Sequence, residues 1–164
     1  SCADVQTIHS KVKVLSKGVK TQIGGFKVQP VDMFHSVECY GFLIEHQECG
    51  RIVFCTDTSK IPYRFKNIQH FIVEANYDAD IVLNCLLSNV LNSSQSENHM
   101  EIDDTIDFLK NNVNENTNSI TLVHLSNDNS NEKKFRERVR TELGFSNVYV
   151  ADKGMTINLS LDAI

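Results

Sequence analysis

Between residues 24 and 75 apolar and polar residues alternate in short runs, which is the period of β-strands. After Gly24-Gly25, Phe26, Val28 and Val31 interleave with Lys27, Gln29 and Asp32. Tyr40 to His46 and Arg51 to Thr56 flank Gln47-Glu48-Cys49-Gly50, the pattern of a hairpin with glycine at a left-handed turn position. A further strand is expected over Ile68 to Ala75, and Val12 to Leu15 reads as a short opening strand. From Ala79 the period lengthens. Ile81, Val82, Cys85, Leu86 and Val90 predict a helix from Ala79 to Leu91, followed by a polar loop, Ser93 to Asn98. Ile102, Ile106, Phe108 and Leu109, with Asp103 and Asp104 early, predict a helix with acidic residues in its first turn.

An Asn-rich connector, Asn111 to Asn118, leads to Ser119–Leu125. This almost wholly apolar run predicts a strand buried on both faces. Asn129 to Leu143 is an amphipathic helix with Gly144 as its C-cap. Val148 to Val150 and Met155 to Leu161 read as a closing pair of strands. Strands first, then alternating strands and helices, indicate a mixed α/β layered fold, with residues 1–164 as one domain.

Composition narrows the class. With 164 residues, 41% hydrophobic and 23% charged, the chain can bury a core. Its net charge of -5 argues against binding nucleic acid through a basic surface alone. No apolar run is long enough to span a membrane, and no basic-then-apolar leader opens the chain. Cys2, Cys39, Cys49, Cys55 and Cys85 are odd in number and irregularly spaced, as expected of reduced thiols in a cytoplasmic protein. The opening Ser-Cys-Ala, without Met, suggests a processed or trimmed chain.

Polar residues stand where three strands should end, the place where α/β sites collect. They are His35 in FKVQPVDMFHS, Asp57 in RIVFCTDTS and His124 in SITLVHLSND. Imidazole nitrogen and carboxylate oxygen suit zinc, manganese or iron. Singly, each has an ordinary alternative: a hydrogen-bonded structural histidine, or an aspartate that forms a turn. His99, just before a helix, is placed to give a proton to a leaving group or to hold a phosphate, or else is simply an exposed loop residue. Glu74 and Asn76 end the Ile68–Ala75 strand, where a carboxylate can orient a ligand or merely meet water. The Glu132–Arg138 charge run is the solvated side of a helix. Cys55 reads as a buried strand residue.

In order and spacing, FKVQPVDMFHSVECYGFLIE, IVFCTDTS, FIVEANYD, NHMEIDDTIDFL and ITLVHLSNDN resemble the C-terminal half of a metallo-β-lactamase-fold hydrolase. The similarity is to the ribonuclease Z and exonuclease-like phosphodiesterase branch. It implies half of an αββα sandwich, a mixed sheet with flanking helices, and two divalent metal ions per complete site, zinc first, with manganese or iron as alternatives. It makes His35 a ligand of the first metal, Asp57 the bridging carboxylate and His124 a ligand of the second. His99 would assist at the scissile phosphate of a phosphoester attacked by metal-bound hydroxide.

The family's His-x-His-x-Asp-His motif is absent. The resemblance therefore implies a chain carrying about half the ligands and one of the two layers, active only with the missing N-terminal half. Its sheet would expose a large apolar face. Three expectations follow: a partner chain that supplies the other half, a second copy of this chain on the bare sheet, or a degenerate, non-catalytic interaction module. No membrane is implied, and nucleic acid is a possible substrate that charge does not indicate.

Overall fold

The computed structural model describes residues 13–87 and 98–161. Among these residues seven strands form one sheet in sequence order: β1 (Thr21–Ile23), β2 (Phe26–Asp32), β3 (Tyr40–His46), β4 (Gly50–Cys55), β5 (His70–Glu74), β6 (Ser119–Val123) and β7 (Val148–Val150). The first four are antiparallel, and β4 to β7 are parallel. The helices are α1 (Ala79–Leu87), α2 (Ile102–Lys110) and α3 (Glu132–Leu143). This is the expected mixed α/β class.

Local chemistry fixes the joints. Gly50 (φ 70°) closes the β3–β4 hairpin, and a Cβ there would lie 2.6 Å from Gln69 Oε1, which accepts the Arg51 N–H. The Glu101 side chain caps α2, and Asp103 and Asp104 meet the positive end of its dipole. Asn131 caps α3 by accepting from Lys134 N, and Gly144 (φ 62°) ends it.

Register divides the sheet into two unlike faces. On one, Leu43, Val53, Cys55, Phe71, Val73, Ile120, Leu122 and Val148 pack under α2 and α3, and Phe108 meets Phe71 edge-on at 6.0 Å. Cys55 is fully buried, which pushes its thiol pKa up to about 12. On the other face, Pro30, Ile52 and His70 are buried, Val28, Phe42, Ile44, Phe54, Ile72, Val123 and Tyr149 are only half-buried, and Ile23 and Phe26 are exposed. No helix of the described residues covers that side.

Several boundaries differ from expectation. Residues 13–15 form no strand, and Val12 lies outside the described residues. The edge strand is instead Thr21–Ile23, which has β2 to pair with. The predicted Ala79–Leu91 helix is described to Leu87, and none of its residues is buried. Of the Ser93–Asn98 loop only Asn98 is described. Met155–Leu161 alternates well enough for a strand but forms none. It runs from the end of β7 to the β3–β4 turn, where Leu161 N donates to Glu48 O at 2.8 Å. Its Leu159 carbonyl faces the buried His70. An alternating segment needs a neighbouring strand to become one, and the described residues offer none beside it. No helix among the described residues is long and apolar enough to cross a membrane.

Candidate metal centre

The carboxyl ends of the parallel strands converge on one rim. β4 stops at Cys55, and two residues later Asp57 adopts φ 54°. β6 stops at Val123, and His124 follows with φ 58°. Left-handed backbone is uncommon outside glycine and costs energy, so both chain reversals are held by their surroundings. Asn76 Nδ2 donates to His124 O at 2.7 Å, and Ser126 N donates to Asn76 O at 2.8 Å. His99 arrives from the segment leading into α2, which is fastened to β5 by Asn76 N donating to Met100 O.

Glu74, at the end of β5, is wholly buried and organises these groups. Its Oε1 lies 2.6 Å from His99 Nδ1 and 3.2 Å from His124 Nδ1, and its Oε2 accepts the Thr58 N–H at 2.9 Å. Burial pushes the Glu74 pKa up to about 7; the Thr58 N–H and His124 pull it down, and the Asp57 charge pushes it up. A carboxylate on Nδ1 fixes ring orientation and leaves Nε2 of each imidazole to face a ligand.

Asp57, His99 and His124 each offer a ligand atom, and these atoms lie within 4.8 Å of one another. One hard oxygen and two imidazole nitrogens fit a divalent metal ion such as zinc, manganese or iron. The site is open: the Asp57 and His124 side chains are 48% and 41% exposed.

The structure brings together Asp57, His124 and His99, with Glu74 behind them. His35 stands beside this group and not in it. Its ring centre lies 5.8 Å from that of His99, and its Nδ1 accepts the Val37 N–H at 3.4 Å. Its loop is pinned to the end of β4, since Phe34 N donates to Thr58 Oγ1 and Ser59 N donates to Phe34 O. Thr58 and Asn98 escape a reading of the sequence. Thr58 is fully buried and joins the His35 loop to Glu74, and Asn98 Oδ1 accepts the Ser36 N–H. The one signal for Thr58 is its place directly after Asp57, which a turn explains equally well.

No family model matches the chain, and no curated protein does. Solved structures do. The metallo-β-lactamase fold protein YhfI from Bacillus subtilis superposes with a TM-score of 0.70 at 19% identity, over 93% of this chain and 58% of that one. An isothiocyanate hydrolase from Delia radicum gut bacteria gives 0.63 at 18%, over 90% and 59%. A diphosphatase from the PhnP family gives 0.61 at 15%, over 98% and 55%. The chain therefore has the metallo-β-lactamase fold. It spans between half and two thirds of the length of these three structures.

Proposed function

We propose that this chain is the ligand-bearing C-terminal half of a metal-dependent hydrolase acting on phosphorus esters. The convergence of Asp57, His99 and His124 on one rim, with Glu74 anchoring both imidazoles, carries the reading. Asp57 and His124 would hold metal, with His35 the further ligand beside them on the same rim, its ring centre 5.8 Å from that of His99. Bound divalent ions supply Lewis acidity and lower the pKa of water. His99, oriented by Glu74, holds the proton that the leaving oxygen takes. The same fold serves an isothiocyanate hydrolase, so the choice of a phosphorus ester rests on the diphosphatase likeness and on the Asp at position 57, a hard oxygen donor suited to bridging two cations.

Three side-chain ligands on an open rim bind metal weakly. Full activity then needs further polypeptide on the bare sheet face, from an N-terminal half or a second copy. Zinc and manganese titrations of the chain, followed by hydrolysis of bis-p-nitrophenyl phosphate, test this. We expect metal binding that Asp57→Asn and His124→Asn each weaken at least about tenfold, as loss of a charged or directional ligand does. Wild-type and variant chains that bind metal alike would remove the site.

A second reading has its own observation. Met155–Leu161 is an alternating segment without a strand beside a half-bare apolar face, which suits a non-catalytic interaction module. Such a module keeps its fold when metal is withheld and shows no hydrolysis in any assembly.

A further inference from the structure

The overall charge of -5 hides a division. Residues 1–66 hold nine Lys and Arg against six Asp and Glu, while residues 67–164 hold seven against fifteen. Four of the nine, Lys17, Arg51, Arg64 and Lys66, line a groove of about 600 Å³ on the helix-bearing side of the sheet, next to the C-terminal end of α2. Gln29, Val31 and Leu43 of β2 and β3 floor it. The segment Tyr63–Lys66, which runs between β4 and β5, walls it on one side, and Lys17 closes the other.

This groove is built. Gly18 N donates to Pro30 O at 2.9 Å, holding the Lys17 turn against β2. Arg51 donates to the Lys66 carbonyl, Phe65 N donates to Asn112 Oδ1 at 2.7 Å, and Phe65 packs edge-on to Phe108. Asp32 is the one acidic residue in the lining and is ion-paired with Lys17. Arg64 and Lys66 are exposed, and no acidic partner for either is found among the described residues; the Arg64 guanidinium donates only to Asn111 Oδ1. Tyr63 offers a half-buried ring beside them.

We propose that this groove binds a nucleotide, free or at the end of a nucleic-acid strand, with its phosphate at Arg64 and Lys66 and its base against Tyr63. A planar guanidinium and ammonium groups recognise phosphate, and an aromatic ring on an apolar floor recognises a base. An acidic peptide would satisfy the charges but leave the ring and the floor unused. The volume falls within the usual range for small-molecule sites. The wall Tyr63–Lys66 belongs to the β4–β5 connection that also carries Asp57 and Thr58, so the ligand would lie along the same loop that closes the metal rim.

The test separates this site from the metal reading by working in excess EDTA. The chain is titrated with AMP, an eight-residue oligothymidylate and inorganic phosphate, followed by amide NMR shifts and calorimetry. We expect saturable binding of AMP and of the oligonucleotide, with shifts at residues 17–18 and 63–66, and a lower affinity for the oligonucleotide in added salt. Arg64→Glu with Lys66→Glu should weaken both about tenfold or more. Tyr63→Ala should weaken AMP but not phosphate, and Lys133→Glu on α3 should change neither. No saturable binding, unchanged binding by the double variant, or phosphate binding as tightly as AMP would each overturn the assignment.

Discussion

The two faces of the sheet are built from the same strands and meet different fates. Under α2 and α3 every other side chain is large, apolar and fully enclosed, with Phe71, Val73, Ile120 and Leu122 at 0% exposure. On the reverse, Ile72 and Phe54 sit one residue away along the same strands and keep part of their surface in water. That reverse face is mixed along the parallel strands: Ile52, Phe54, Ile72 and Val123 share it with the buried polar His70, Glu74, Ser119 and Thr121. The difference teaches that enclosure follows the helices: beneath α2 and α3 the strands give up all their surface, and at Ile72 and Phe54, where no described helix lies, they keep part of it.

The sharpest way to break this contrast is a cavity under the helices. Phe71→Ala removes a ring enclosed by Phe108 and its neighbours and should cost about 3–5 kcal/mol, read as a lowered urea midpoint. A second experiment concerns His70, which lies on the half-bare face yet is buried beneath the Met155–Leu161 segment. Burial lowers its pKa, although the Leu159 and Cys49 carbonyls oppose the shift, and its Nδ1 lies 2.7 Å from Ser119 Oγ. The unfolded chain then binds a proton that the folded chain resists. Stability present above about pH 6.5 should fall as pH drops below it. Thermal melts from pH 8 to pH 5 check this, and His70→Gln should flatten the acid limb.

Smaller effects complete the comparison. Asn131→Ala removes the α3 cap and should cost about 1 kcal/mol, detected in the same urea titration. Ile72→Thr on the reverse face should change stability by less than about 1 kcal/mol in the chain by itself. If Ile72→Thr cost as much as Phe71→Ala, the two faces would be equally packed and the contrast would vanish.

Much of this architecture was legible. The β3–β4 hairpin, α2, α3 and the Gly144 C-cap follow from local period and turn chemistry, which need no distant partner. The positions of Asp57 and His124 were legible because polar residues directly after apolar strands mark the end of a sheet. Thr21–Ile23 goes unmarked and Met155–Leu161 misleads for a common reason: a strand exists only where another strand accepts its hydrogen bonds, and such partners are not written locally. The two-handed role of Glu74 was hidden as well. It depends on His99 and His124, 25 and 50 residues further along, arriving at one carboxyl oxygen. That His35 stands apart from the three close donors was equally beyond the sequence, since a loop's last few ångströms depend on bonds such as Phe34 N to Thr58 Oγ1.

The left-handed backbone at Asp57 and His124 has a practical corollary. Asparagine tolerates that conformation better than most residues but glycine, because its short amide can hydrogen-bond locally, whereas alanine carries the same Cβ with nothing to offset it. Asn at either position therefore silences the side-chain chemistry while sparing the chain reversal, and Ala confounds the two. For a rim of this kind the informative null is an amide.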